Sequence, residues 1–493
     1  MHSSSKCIRR IGWGLLVVAA LYGLLLIPDP IPPVHKGAGK QPFLWARAAY
    51  WAALEKEFQQ ARASGCTGLA KAIDASLSEI RANLEILAAT NVLPNAPVFA
   101  ALEANIFHLA PMMGACSERV PEFLLTFARM RSLIKRQSGH WPVDSPETRE
   151  RLYRSLYGGR AAVEEAMLQA PREQLRPLLV GDDEPSDSPG ALVQGVTLHS
   201  GDILLSRGGA ATSALIARGN DYPGNFSHVA LVHVNPTNNQ ASVIEAHIEC
   251  GVLVSPIEKY FADKKLRIML LRLQADGPLK NATPALAHQA ACRAIEEAGK
   301  RHIPYDFAMD YANPNEQFCS EVASAAYSPL KVKLWMGLSQ LSAPGLTQWL
   351  SALGVRHFET QEPADLEYDP QLRVVAEWRD PETLFKDHVD NAVIDVLLEG
   401  AERGDRLNYN MWKLPPARLA KGWSWLKNRF GKVGVIPEGM SATTALRVDA
   451  LTKMHNAIYS RVIESAEKFK KERGYVPPYW ELLRMARESK AGL

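Results

Sequence analysis

The sequence predicts an α+β fold, in which a domain with a mostly antiparallel sheet is flanked by helical regions at both ends. Three observations carry this. From about residue 42 to 170, apolar residues recur at spacings of three and four. After the polar, turn-rich stretch DDEPSDSPG (182–190), the chain turns to short β-branched and Leu-rich runs. Beyond about 390 the helical spacing returns. These shifts divide the chain into an N-terminal segment with a Pro-rich linker (1–40), a helical region (41–180), a sheet domain (195–390) and a helical C-terminal region (391–493).

Composition agrees with a folded chain of several cores. The 493 residues are 47% hydrophobic and 22% charged, ordinary globular usage that excludes a disordered, collagen-like or disulfide-scaffold protein. The formal net charge of +3 is too small to point to nucleic acid as a partner. One long apolar run near the N-terminus excludes a multi-span transporter.

That run, residues 11–27, is IGWGLLVVAALYGLLLI and carries no charge. As a helix it is about 26 Å long, enough for a thin hydrocarbon core. Lys6, Arg9 and Arg10 precede it; Pro28, Asp29, Pro30, Pro32 and Pro33 follow. Basic flanks stay cytoplasmic, so a single-pass anchor in the cell inner membrane, with the rest of the chain outside, is the expectation. A cleaved signal is the rival, but no small-x-small site follows the run cleanly, since Val18–Ala20 lies inside it. Cys7 precedes the run and is not placed as a lipoprotein acceptor.

In the helical region, Leu44, Ala48, Trp51 and Leu54 mark one face, and Leu69, Ile73, Leu77, Ile80, Leu84 and Leu87 the next. Further helices are expected near 98–110, 120–136 and 147–169. Cys66 and Cys116 both lie here and are close enough in kind of environment to pair in an oxidising compartment; no CxxC occurs anywhere.

The middle domain offers the strands GDILLSR (201–207), SHVALVHV (227–234), ASVIEAHI (241–248) and LRIMLLRL (266–273), a helix at 286–300, and a returning strand within 373–385. In the C-terminal region, 412–430 presents a basic, Trp-containing face of the kind that lies on a membrane surface or packs as a partly solvated helix.

Three residues draw chemical attention. Cys319 sits in NPNEQFCSEVASAAY, where Asn313 and Pro314 predict a helix start, with Phe318, Val322 and Ala325 or Ala326 as its buried stripe. A cysteine in the first turns feels the positive end of the helix dipole, which favours the nucleophilic thiolate. His228 opens a strand after a glycine-bearing loop and has the pKa of a general base. Glu245 lies on the next run, where a carboxylate can hold the imidazole in one tautomer. His228, His233, Glu245, His247 and Cys250 also crowd together, but strand alternation sends His228 and His233 to opposite faces. That leaves Glu245 and His247 as a pair too small for a metal site, so neither metal nor cofactor is expected.

The order GDIL, FSHVALV, VIEA, PYDF and FCSEVASAAY, over roughly 195–390, resembles the permuted papain-like cysteine hydrolases of the NlpC/P60 superfamily. The likeness is greatest to the YiiX/YebB-like branch, which also resembles a poxvirus protein group. It implies a permuted papain-like domain with Cys319 as nucleophile, His228 as base and Glu245 as the orienting third member. Tyr305, in PYDF, would line the pocket near the thiolate, and Ser227 would bind substrate beside it. The implied reaction is cleavage of an amide through a thioester, and export points to a cell-wall peptide. Two alternatives remain: a lipid acyl hydrolase or acyltransferase, as in lecithin:retinol acyltransferase-like relatives of this scaffold, and a non-catalytic membrane-tethered binding protein.

Overall fold

The computed structural model describes residues 13, 16, 19–30, 47–275 and 285–493, with backbone alone at 47–52. Lys6, Cys7, Arg9, Arg10, Pro32, Pro33, Leu44 and the side chains of Ala48 and Trp51 lie outside the described residues. Within the apolar N-terminal run, Trp13, Leu16 and 19–25 are helical, and Leu16, Leu21 and Leu24 are exposed.

The first helical region comprises α1 (Arg47–Ala89), α2 (Pro97–Ala115), α3 (Val120–Ser138), α4 (Pro146–Leu152) and α5 (Gly159–Gln169). Gly65, at φ +66°, kinks α1 where the sequence has its break between two apolar patterns. Ile73, Leu77, Ile80, Leu84 and Leu87 are buried with Phe123, Phe127 and Met130 of α3, each contributing about 1.5–3 kcal/mol by leaving water. Cys66 and Cys116 are joined in a disulfide. The helix expected over 147–169 is interrupted by a π-helical segment, Tyr153–Gly158. Just after it α5 and α3 approach so closely that a Cβ at Gly159 would lie 2.6 Å from the Phe127 ring. By length and apolarity α2 is the one described helix able to cross a membrane, yet its Phe99, Leu102, Ile106 and Leu109 are buried in this core.

The seven-stranded sheet is antiparallel throughout, with strand order β1-β11-β8-β4-β5-β6-β7. Its strands are β1 (Leu178–Val180), β4 (Ile203–Arg207), β5 (His228–Val234), β6 (Ala241–His247), β7 (Gly251–Pro256), β8 (Arg267–Leu273) and β11 (Leu372–Trp378). The hairpin β2 (Gly190–Val193) with β3 (Val196–His199), and the pair β9 (Ser339–Gln340) with β10 (Glu359–Thr360), stand apart from it. Two strands of the seven-stranded sheet escape sequence reading, as do both two-stranded pairs: β1 is three residues long and precedes the polar 182–190 stretch, and β7 is a partly exposed edge.

The remaining helices are α6 (Ala211–Gly219), α7 (Ile257–Ala262), α8 (Leu286–Lys300), α9 (Cys319–Tyr327), α10 (Pro344–Leu353), α11 (Pro381–Glu402), α12 (Leu414–Arg429), α13 (Ala442–Arg473) and α14 (Tyr479–Ala491). Strand alternation divides the sheet's two faces. Val229, Leu231 and Ile244 pack under α8 and α9 with Ala290, Val322 and Ala323. Ala230, Val232 and Val243 pack on the other face with Ile257 and Tyr260 of α7.

A buried ionic network joins the sheet to the helices beside it. Arg267 of β8 pairs with Glu164 of α5 and Asp387 of α11, while Arg160 pairs with Glu367, and Arg131 of α3 with Glu377 of β11. Each charge has a partner, as burial in a low-dielectric interior requires.

Candidate active site

The site is built at the first residue of α9. The helix does not start at Asn313 as the sequence predicts, because the preceding loop satisfies its own backbone. The Asn313 side chain accepts the Asn315 N–H, and Asp306 accepts those of Ala308 and Asp310. Glu321 then reaches back to accept the Phe318 N–H at 2.8 Å, which fixes the helix start. Cys319 is therefore the leading helical residue, with Phe318, Val322 and Ala326 buried and Ala325 exposed.

Cys319 Sγ lies 3.8 Å from the Ser227 carbonyl oxygen, and the Val229 N–H also reaches the sulfur. These backbone groups flank His228 on both sides. The cysteine is buried, and burial pushes its thiol up to about 12 against the opposing Val229 N–H. The expectation that the helix start favours thiolate is thus overridden in this resting state: desolvation outweighs the dipole, and the sulfur keeps its proton.

His228 Nε2 is 2.8 Å from Glu245 Oε2, and His247 Nε2 is 3.1 Å from Glu245 Oε1. Burial lowers the His228 pKa, with Glu245 opposing. Burial alone would raise Glu245, but hydrogen bonds from His228 and His247 overcome it and hold the carboxyl far below the usual range. Among the described residues no hydrogen bond joins His228 to Cys319, and none occupies His228 Nδ1.

A cleft opens at the sulfur. Ser227 and Tyr305 line it, together with apolar side chains such as Ile216, Met309, Leu353 and Val448. His228 and Glu245 do not line it. Two further members, Gln361 and Glu362, carry no motif in the sequence and are brought in by tertiary folding. Glu362 is buried, and burial followed by Asp365 pushes its carboxyl up to about 8, so it is protonated at neutral pH. Gln361 accepts from the Ser324 hydroxyl of α9 at 2.8 Å.

Three described clusters gather metal-ligand residue types: His228, Glu245 and His247; His233, His288 and Cys292; and Cys66, Cys116 and Glu118, whose cysteines are joined in the disulfide. In the first, Glu245 Oε2 is hydrogen-bonded to His228, while His247 Nε2 lies 3.1 Å from Oε1 and is buried without a well-directed hydrogen bond.

In this domain the histidine strand β5 precedes the cysteine helix α9 in the chain, and α9 packs on the antiparallel sheet that contains β5. Residues 197–376 match the family of permuted papain-like amidases, YaeF/YiiX, C92, so the sheet domain is that of a papain-like cysteine amidase. No curated protein and no solved structure matches the chain.

Proposed function

We propose that the protein is a membrane-anchored, exported cysteine hydrolase that cleaves an amide with Cys319 as nucleophile, His228 as base and Glu245 as orienting carboxylate. The observation that carries the reading is the seat of Cys319 Sγ against the backbone on either side of His228, whose Nε2 is held by Glu245. Nδ1 is thereby left to exchange protons.

In the proposed reaction His228 Nδ1 takes the Sγ proton as substrate enters, and the thiolate attacks the carbonyl carbon. The Glu321 N–H already donates to the Phe318 carbonyl, so the Cys319 and Ser320 N–H groups at the start of α9 are the proposed donors to the developing oxyanion. Such a donor typically contributes about 2.7–4 kcal/mol. As the C–N bond breaks, the imidazolium passes its proton to the leaving nitrogen, leaving a thioester. Water then adds to the thioester carbonyl and gives its proton to His228, and the S–C bond breaks to release the acid.

Anchoring is supported by the exposed Leu16, Leu21, Leu24 and Ile27 in the apolar N-terminal run, and export by the Cys66–Cys116 disulfide. A cell-wall peptide is the substrate that export suggests. The apolar lining of the cleft favours the second reading, an acyl chain on the same scaffold.

The deciding experiment is turnover of a peptide amide and an N-acyl amide by the wild type and Cys319→Ala. Loss of at least 10³-fold in the variant is expected; equal rates would end the reading.

A further inference from the structure

The apolar N-terminal helix and the C-terminal region meet at one place. Arg418 of α12 donates to the carbonyl oxygens of Leu25 and Ile27, at 3.2 and 2.6 Å, and pairs with Asp29 at 2.9 Å. It thereby satisfies carbonyls that the end of that helix leaves without partners. The Tyr22 hydroxyl donates to the Trp412 carbonyl, and the two rings stack. If residues 11–27 span a bilayer, this end of the helix is at the headgroups, and α12 is there with it.

The surface around α12 has the chemistry of that depth. Trp412, Leu419, Trp423, Trp425, Phe430 and Val435 are all exposed. Between Arg406 and Pro437 the chain carries seven basic residues and no acidic one. Exposed Trp and Phe interleaved with Lys and Arg match the interface of an anionic bilayer, where aromatic rings sit at headgroup level and cations meet phosphates.

The Cys319 cleft leads to the same place. Tyr305, Phe307, Leu353 and Met440 line both the cleft and a second hollow, and that hollow is also lined by Asp29 and Pro30 at the foot of the N-terminal helix. A path thus runs from the sulfur through the apolar cleft and then through the second hollow, which Glu316, Arg356, Glu438 and Arg447 also line, to the point where the chain leaves the proposed membrane span.

We propose that the surface from Trp412 to Val435 lies in the interface of an anionic bilayer, and that the Cys319 cleft is loaded from it. The substrate is then an amphiphilic amide whose long apolar chain enters from the lipid, rather than a free peptide from the aqueous phase. This rests on the anchored cysteine-amidase reading and adds its substrate class.

The test uses the full chain reconstituted in phosphatidylglycerol-containing vesicles. Brominated acyl chains quench tryptophan at the interface, and the quenchable fraction should drop in Trp423→Phe/Trp425→Phe. Cys319 should be alkylated at least tenfold faster by a long-chain N-alkylmaleimide dissolved in the vesicles than by N-ethylmaleimide, as read by peptide mapping at alkaline pH. Trp423→Glu/Trp425→Glu should collapse that preference; both positions are exposed, so folding is preserved. Unchanged quenching in the Phe variant, equal labelling by the two reagents, or a second copy of the chain protecting these tryptophans without lipid would each overturn the proposal. Insensitivity of amide turnover to Cys319→Ala would instead strike the amidase reading, while quenching and labelling still decide the location of the surface.

Discussion

His228 Nε2 and Glu245 Oε2 stand 2.8 Å apart across the β5–β6 pair, and the other oxygen of that carboxylate meets His247. The carboxylate holds the imidazole by one nitrogen, and in the proposed triad the other nitrogen transfers the proton. Replacing Glu245 by Gln keeps the shape but permits the wrong tautomer. We expect kcat to fall about 10⁴-fold, as when an orienting carboxylate is amidated in a serine-protease triad, with KM little changed. Steady-state kinetics on a model amide check this; a change confined to KM would remove Glu245 from the orienting role.

The resting Cys319 thiol lies near 12 because it is buried. Its alkylation by iodoacetamide should therefore climb steadily with pH through pH 10, without a plateau, because only the thiolate reacts. A plateau below pH 8 would reveal a thiolate–imidazolium pair already formed in the absence of substrate. Activity should decline on the acid side as His228 protonates, with its midpoint below the usual histidine value, since burial lowers its pKa.

Glu362 is neutral in the folded protein up to about 8, whereas in the unfolded chain it ionises near the ordinary 4.5. Between these values the unfolded state has fewer protons bound, so stability falls as pH rises, by about 1.4 kcal/mol per unit for one such group. Glu362→Gln should be more stable than the wild type at pH 8, and the gain should vanish below pH 4.5. Denaturant titrations at both pH values measure the difference, and a pH-independent offset would contradict it.

Glu164 behaves in the opposite sense. Burial alone would raise its pKa, but Arg267, Arg160 and Arg379 hold it well below the carboxylate range. Its stabilising contribution is present above the unfolded-state value and is lost as pH falls through the depressed folded value. Glu164→Gln leaves these guanidiniums short of charge and should cost about 3–5 kcal/mol at neutral pH. Thermal or urea unfolding gives the value, and a loss under 1 kcal/mol would show that the network compensates.

The Cys66–Cys116 bond closes a loop of 50 residues. By chain entropy its removal should destabilise the helical region by about 4 kcal/mol. Cys66→Ser/Cys116→Ser, compared with the wild type in urea, reads the effect; equal midpoints would mean that helix packing alone holds α1 to α2.

Much of the fold was legible because local rules and burial agree. The 3–4 spacing of Ile73, Leu77, Ile80 and Leu84 is itself the buried stripe of α1, and the break at Gly65 is where the pattern lapses. The four strand runs read from the middle domain became β4, β5, β6 and β8, because β-branched and Leu-rich segments bounded by turn residues have few other ways to bury themselves. Where short elements depend on neighbours, the sequence was silent. β1 exists because Leu178 to Val180 finds β11 almost two hundred residues later, and the start of α9 was decided by Glu321 against the Asn313–Pro314 signal.

The chain's own residue order determined that a histidine strand comes before a cysteine helix, that Glu245 and His247 share one face, and that the apolar run 11–27 follows Lys6, Arg9 and Arg10. Only the tertiary structure decided how deeply the sulfur is buried, that Gln361 and Glu362 join its cleft, and that Arg418 ties the far C-terminal region to the end of the apolar N-terminal run. The reason is physical. Periodicity encodes which face of an element avoids water, whereas desolvation and the meeting of groups hundreds of residues apart depend on how all the faces close on one another.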